Sequence, residues 1–202
     1  MVVIGISMRL VDNSYKVSAN LIEKVKKNGG VPLLILPGFD NSRLISMCDG
    51  FIIPGGVTWS EVDELIIKYA ITNDLPLLGI CAGMQAIANI HNFDKNIPSD
   101  QTVPIGNDSH NSKSKYVHDI SITGKFLYNI LSSKKVRVNS RHKFTVTKED
   151  YFAVDAYSDD GIIEAIHLPG KKFILGVQWH PEDLNDEFSE RLFIEFIKKC
   201  NG

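Results

Sequence analysis

Cysteine is scarce in this 202-residue sequence: Cys48, Cys81 and Cys200 are an odd number at unrelated spacings. That excludes a closed disulfide framework and points to a reducing compartment, so a cytoplasmic location is expected. Long apolar runs are missing too. Nothing approaches the roughly 20 residues needed to cross a bilayer, and Val2–Ile6 is not preceded by a basic, apolar, cleavable leader. Charge of one sign is also lacking, because 22 basic against 24 acidic residues leave a formal net charge of −2. The short basic groups Lys24, Lys26, Lys27 and Lys134, Lys135, Arg137 suit solvated helix faces, so neither nucleic acid nor membrane is expected as a partner. Repeats, low-complexity tracts and linkers are absent, so residues 1–202 are read as a single domain. The six histidines, His91, His110, His118, His142, His167 and His180, contain no close pair at the usual zinc spacing, and no metal or cofactor is expected.

What is present is a hydrophobic content of 44% laid out in alternating blocks. Val2 to Ser7 reads as a strand, Val17, Leu21, Ile22 and Val25 as one helical face stopped by Asn28-Gly29-Gly30, and Val31 to Leu36 as the next strand. Asn41 to Cys48 is a short helix and Phe51 to Ile53 a third strand, ending in Pro54-Gly55-Gly56. Helical spacing returns at Val62, Leu65, Ile66, Tyr69 and Ala70, with Ser60 as N-cap and Asp63 three residues on. Leu75 to Ile80 is a fourth strand. Strands alternating with helices in this way imply a parallel sheet with both faces covered and a ligand site beyond the strands' carboxyl ends.

Residues 91 to 115 are polar and aperiodic, and the role of that loop, lid over the cleft or surface excursion, stays open. Beyond it strands dominate: Val117 to Ile122, Lys135 to Asn139, Phe144 to Thr147, Phe152 to Tyr157, Gly161 to His167 and Phe173 to Trp179, with one helix at Lys125 to Leu131. A last helix carries Phe188, Leu192, Phe193, Phe196 and Ile197 on one face.

At Cys81 the fourth strand turns abruptly into a helix-compatible pattern. Gly79 and Gly83 flank it two residues away on each side, the small-residue spacing of a nucleophile elbow that lifts one reactive side chain above a sheet edge. A lone cysteine is more often a small buried apolar residue, so the weight falls on a second stretch. Phe173 to Glu182 reads as a buried strand ending in His180-Pro181-Glu182. Pro181 biases His180 toward extended backbone, and in an extended run the i and i+2 side chains share a side, which sets Glu182 beside His180. A Cys, a His and an acid together make a nucleophile, a general base that later serves as acid, and the group that orients the imidazole.

Gly79-Ile80-Cys81-Ala82-Gly83-Met84-Gln85 and Gly176-Val177-Gln178-Trp179-His180-Pro181-Glu182 resemble the two signatures of the class I glutamine amidotransferase-like superfamily. Within it the similarity is to the γ-glutamyl-γ-aminobutyrate hydrolase group of C26-type peptidases, through Val138-Asn139-Ser140-Arg141-His142, His118 and Asp160-Gly161-Ile162-Ile163-Glu164-Ala165. The resemblance implies a three-layer αβα sandwich around a mostly parallel, flavodoxin-like sheet, with an antiparallel strand-rich C-terminal part. It makes Cys81 the nucleophile, His180 the base and Glu182 its orienting acid, with backbone N–H groups of Gly56 and Ala82 as the oxyanion hole. Gln85, Asn139, Ser140 and His142 would lie near the substrate's α-amino and α-carboxylate ends. Departures fall at the cleft rim: Lys143 and Phe144 replace the expected histidine and glutamine, the segment after Pro-Gly-Gly is shortened to Val57-Thr58-Trp59-Ser60, and His91 to Asn96 replace a glycine-rich run.

The expected activity is hydrolysis of the γ-amide of a small γ-glutamyl amine through a glutamyl thioester. Two alternatives stay open: a glutaminase subunit that hydrolyses glutamine for a separate synthetase, and a catalytically degenerate binding module. A homodimer is left open as well.

Overall fold

The computed structural model of the protein describes residues 1–90, 102–106 and 109–202. In chain order the strands are β1 (Val2–Ser7), β2 (Arg9–Val11), β3 (Ser14–Lys16), β4 (Gly30–Ile35), β5 (Gly50–Ile53), β6 (Leu77–Ile80) and β7 (Thr102–Pro104), then β8 (His118–Ile122), β9 (Lys135–Val138), β10 (Phe144–Val146), β11 (Ala153–Ser158), β12 (Ile163–His167) and β13 (Ile174–Val177). The helices are α1 (Ala19–Lys27), α2 (Ser42–Ser46), α3 (Glu61–Thr72), α4 (Ala82–Ala88), α5 (Lys125–Leu131) and α6 (Glu187–Cys200).

One nine-stranded sheet has the order β4-β1-β5-β6-β13-β12-β11-β8-β9. The first five of these strands are mutually parallel and the remaining neighbours antiparallel, the mostly parallel αβα sandwich with an antiparallel extension that the sequence led us to expect. Side-chain alternation along the strands divides the core into two layers. Ile4, Ile6, Ile52 and Leu78 pack with Leu21 and Val25 of α1, Leu127 of α5 and Phe193 and Phe196 of α6. On the other face Phe51, Ile53 and Leu77 pack with Ile45 of α2, Ile66 and Ile67 of α3 and Met84 and Ile87 of α4. Each fully buried side chain of this size stabilises the fold by roughly 1.5–3 kcal/mol relative to exposure. No helix among the described residues is long and apolar enough to cross a membrane.

Three local differences from the sequence reading bear on the site. Arg9–Val11 and Ser14–Lys16 form a hairpin, closed by Asp12 and Asn13, both at positive φ (50° and 59°), as a two-residue primed turn requires. Its side chains are largely exposed, so no hydrophobic alternation announced it. The stretch read as an aperiodic loop contains β7, which pairs antiparallel with β10; residues 91–101 and 107–108, and the lid reading placed on them, lie outside the described residues. Finally, His180 (φ −109°, ψ 83°) falls short of the extended region and Pro181–Asp183 is a turn of 3-10 helix, where the sequence predicts an extended run.

Candidate active site

Register places three strand ends side by side. Ile53 of β5 pairs with Gly79 of β6, and Gly176 and Val177 of β13 pair with Gly79 and Ile80. Parallel strands in register end at one edge, so Pro54-Gly55-Gly56, Cys81 and the run to His180 emerge there together.

Cys81 is the N-cap of α4, with φ 52° and ψ −105°. Such a backbone is strained for any residue with a Cβ. The strain is held by its surroundings: the Cys81 N–H donates to the Val177 carbonyl (2.8 Å) and its own carbonyl accepts from the Gln85 N–H (3.1 Å). Strand and helix can meet so sharply because the flanking positions carry no side chain. A Cβ on Gly79 would lie 2.6 Å from the Gly83 carbonyl group, and one on Gly83 would strike the Ile53 carbonyl.

His180 Nδ1 lies 2.8 Å from Glu182 Oε1, and Cys81 is the imidazole's other polar neighbour. Burial works against charge on His180, yet Cys81 and the Glu182 carboxylate outweigh it and raise the imidazole to about 10. At neutral pH His180 is therefore an imidazolium held between sulfur and carboxylate. The 3-10 turn, rather than strand alternation, brings Glu182 beside it. Asn139 grips the same residue from behind: its side-chain amide donates to the His180 carbonyl (2.8 Å) and accepts from the His180 N–H (2.8 Å). Gly55 packs so closely that a Cβ there would meet His180 Cε1 at 2.6 Å and Cys81 Cβ at 3.4 Å. Cys48 and Cys200, by contrast, are pushed up to about 12, chiefly by burial and then by Asp49, and are inert thiols at neutral pH.

Arg9, which the sequence reading did not single out, locks the Pro54-Gly55-Gly56 loop. Its Nη2 donates to the Pro54 carbonyl (2.5 Å) and its Nη1 to both oxygens of buried Asp63 (3.0 and 2.7 Å). Asp63 also accepts from the Ser7 hydroxyl (2.5 Å) and from the Ser60 N–H (2.7 Å). The capping acid expected at the start of α3 thus anchors the loop as well. Beside that loop opens a cleft of about 1030 Å³, walled by Leu10, Val11, Tyr15, Val57, Trp59 and His180 among others.

The four side chains assigned to substrate turn instead to protein partners. Gln85 Nε2 donates to the Phe144 carbonyl (3.2 Å) and to Gln178 Oε1 (3.3 Å). Ser140 is fully buried and its hydroxyl donates to the His110 carbonyl (2.8 Å). His142 faces Glu164 in the interior, and Asn139 is committed to His180. All four are buried and make these internal contacts.

A strained cysteine at a strand-to-helix elbow, paired with a carboxylate-oriented histidine at the edge of a parallel sheet, defines the class of cysteine amidohydrolases built on the class I glutamine amidotransferase-like fold. The Peptidase C26 family model matches residues 59–182, and the chain belongs to that family as a glutamine amidotransferase-like hydrolase. Among its relatives, a glutamine-hydrolysing GMP synthase component from Picrophilus torridus is 30% identical over 175 residues, covering 85% of this chain and 87% of that one. Anthranilate synthase component 2 of Cyanophora paradoxa is 28% identical over 191 residues, covering 93% and 91%. The glutaminase domain of Trypanosoma brucei CTPS, solved with bound acivicin, shares the fold at a TM-score of 0.74 and 18% identity, over 100% of this chain and 94% of that one.

Proposed function

We propose that the protein is a glutaminase whose nucleophile is Cys81, releasing ammonia from glutamine for a separate synthetase. The observation that carries this reading is the His180–Glu182 contact of 2.8 Å, with Cys81 the neighbour that together with Glu182 raises the imidazole to about 10. In the first half-reaction Sγ of Cys81 bonds to the γ-carbonyl carbon and the carbonyl oxygen takes the negative charge. Backbone N–H groups of Gly56 and Ala82 stabilise that oxygen; one such donor is typically worth ~100- to 1,000-fold in rate. The C–N bond then breaks, the nitrogen leaves with the proton held by His180, and a glutamyl thioester remains. In the second half-reaction neutral His180 takes a proton from water, the hydroxide adds, and glutamate leaves as the C–S bond breaks. The relatives named for glutamine hydrolysis and synthase components, each similar over more than four-fifths of this chain, support glutamine before other γ-glutamyl compounds.

The cleft of about 1030 Å³ favours a second reading. Its apolar wall of Leu10, Val11, Tyr15, Val57 and Trp59 lies against His180, where the leaving nitrogen would sit, and it has room for an amine much larger than ammonia. Under that reading the substrate is a γ-glutamyl amine and no synthetase is needed. Purified protein should be assayed on glutamine and on a panel of γ-glutamyl amines, with glutamate release as the readout and mass spectrometry of the Cys81 peptide to trap the acyl-enzyme. Glutamine turnover supports the first reading, and preference for an amine with an apolar group supports the second. If no substrate leaves a glutamyl group on Cys81, both fail and a non-catalytic binding role takes their place.

A further inference from the structure

Three histidines far apart in the chain meet one carboxylate in the interior. Nδ1 of His110, Nε2 of His118 and Nε2 of His142 lie 3.3, 3.4 and 3.5 Å from Oε1 of Glu164. Glu164 is fully buried, and His110 and His142 nearly so. None of the three approaches has hydrogen-bond alignment. Among the described residues His118 Nε2, His142 Nε2 and both Glu164 oxygens have no hydrogen-bond partner. A single buried polar group left in that condition costs about 1–3 kcal/mol, more if charged. Three such groups, two imidazoles and one carboxylate, face one another here.

The far side of each ring shows what they share. His110 Nε2 lies 3.0 Å from Asp160 Oδ2, His142 Nδ1 lies 3.0 Å from the Phe144 carbonyl, and His118 Nδ1 lies 3.3 Å from the Asp119 carbonyl. Each of these partners can only accept, so each fixes an N–H on its own side; on His118 and His142 this leaves a bare lone pair facing Glu164, while Nδ1 of His110, which also faces Glu164, has the Ser140 hydroxyl at 3.4 Å. Carboxylate or carbonyl behind each imidazole is the arrangement that orients histidines bound to a metal. The spacing agrees. Ligands tetrahedral about zinc at ~2.0–2.1 Å stand ~3.3–3.4 Å from one another, close to the three N···O separations observed.

We propose that His110, His118, His142 and Glu164 form a zinc site closed by four protein ligands. Three imidazoles and a carboxylate suit zinc, and a tetrahedral set disfavours copper(II), which prefers tetragonal geometry. With no fifth position to offer water the site is structural rather than catalytic. It braces the wall behind the catalytic base: Asn139, which holds His180, lies three residues before His142, and the Gln178 N–H donates to the Glu164 carbonyl (2.8 Å).

The test uses the full chain carrying Cys81→Ala, so that sulfur at the active site contributes no ligand. After stripping with a chelator, incubation with zinc chloride and desalting, plasma mass spectrometry should find about one zinc per chain, and X-ray absorption should show nitrogen and oxygen neighbours at ~2.0–2.1 Å. Zinc should raise Tm and the chelator lower it. His118→Gln and Glu164→Gln should each abolish stoichiometric retention, whereas His167→Gln, outside the cluster, should keep it. Absence of retained zinc together with a Tm indifferent to zinc and chelator overturns the proposal without recourse to any ligand variant. Undiminished zinc in both His118→Gln and Glu164→Gln overturns it equally, since the ion then sits elsewhere.

Discussion

Replacing Cys81 by glycine should give a more stable protein than replacing it by alanine, the reverse of the usual order. Elsewhere glycine for alanine costs about 0.5–1 kcal/mol, because the unfolded chain gains freedom. Loss of one buried methyl adds about 0.8 kcal/mol, and Cys81 is only 5% exposed. Against these stands the backbone at φ 52°, ψ −105°. Its ψ is far from the left-handed well near +47°, which puts the strain carried by any Cβ toward the upper end of the ~1–3 kcal/mol range. Glycine escapes it. The difference comes to about 1 kcal/mol in favour of Cys81→Gly, or ~2–4 °C in Tm for a chain of this size. Both variants lack the sulfur, so its contact with His180 cancels, and both should be inactive. Parallel urea and thermal melts decide the matter. If Cys81→Ala melts at the same temperature as Cys81→Gly or above it, the elbow stores no strain and the nucleophile argument loses one of its physical supports.

The Pro54-Gly55-Gly56 loop gives a steric prediction. Gly55→Ala would put a methyl 2.6 Å from His180 Cε1, so kcat should fall by about 100-fold, as expected for a misplaced reacting group, with circular dichroism unchanged; wild-type kcat would refute the packing. Asn139→Ala removes two hydrogen bonds of 2.8 Å to the His180 backbone, and urea titration should show a loss of about 2–3 kcal/mol accompanied by lower kcat. Unchanged stability there would mean that the clamp is not formed in solution. For pH, burial lowers His180 while Cys81 and Glu182 raise it to about 10, so removing either raising group shifts the imidazole downward. In Glu182→Gln the imidazolium is lost at lower pH and the alkaline limb of the pH–rate profile should move to lower pH. An alkaline limb that stays in place would show that His180 is not the acid titrating there.

How far the sequence disclosed this site depended on whether a side chain's partner was near it in the chain. Helix α5 fell at Lys125–Leu131 as expected, and the buried strands were visible because apolar runs between turn residues have few other uses. The elbow was legible because Gly79 and Gly83 sit two positions from Cys81, and Glu182 because it lies two from His180. Arg9 was not. It acts on Pro54 and Asp63, 45 and 54 positions away, from a hairpin too short and exposed to show a pattern, though Asp12-Asn13 was a usable turn signal. Gln85, Asn139, Ser140 and His142 were found only through resemblance, and which groups they face was settled by tertiary contacts that spacing does not encode. The histidine cluster was hidden for the same reason, since spacing rules for zinc look for ligands a few residues apart.

The change of strand direction at β13 explains why His180 and the histidine cluster lie together. β5, β6 and β13 run the same way, so their carboxyl ends deliver Gly55, Cys81 and His180 to one edge. β12 runs antiparallel to β13, which brings its amino end, with Glu164, to that same edge. Two further reversals, through β11 to β8, put His118 at the start of β8 there as well, and a third puts the carboxyl end of β9, followed by Asn139, alongside. In a wholly parallel sheet only strand ends that lead into helices reach this edge. The antiparallel half lets strand beginnings reach it too, so a buried acid can stand one strand away from the His180 imidazole. Asn139 then joins the two groups, because the segment that leads to His142 is also the one that clamps His180.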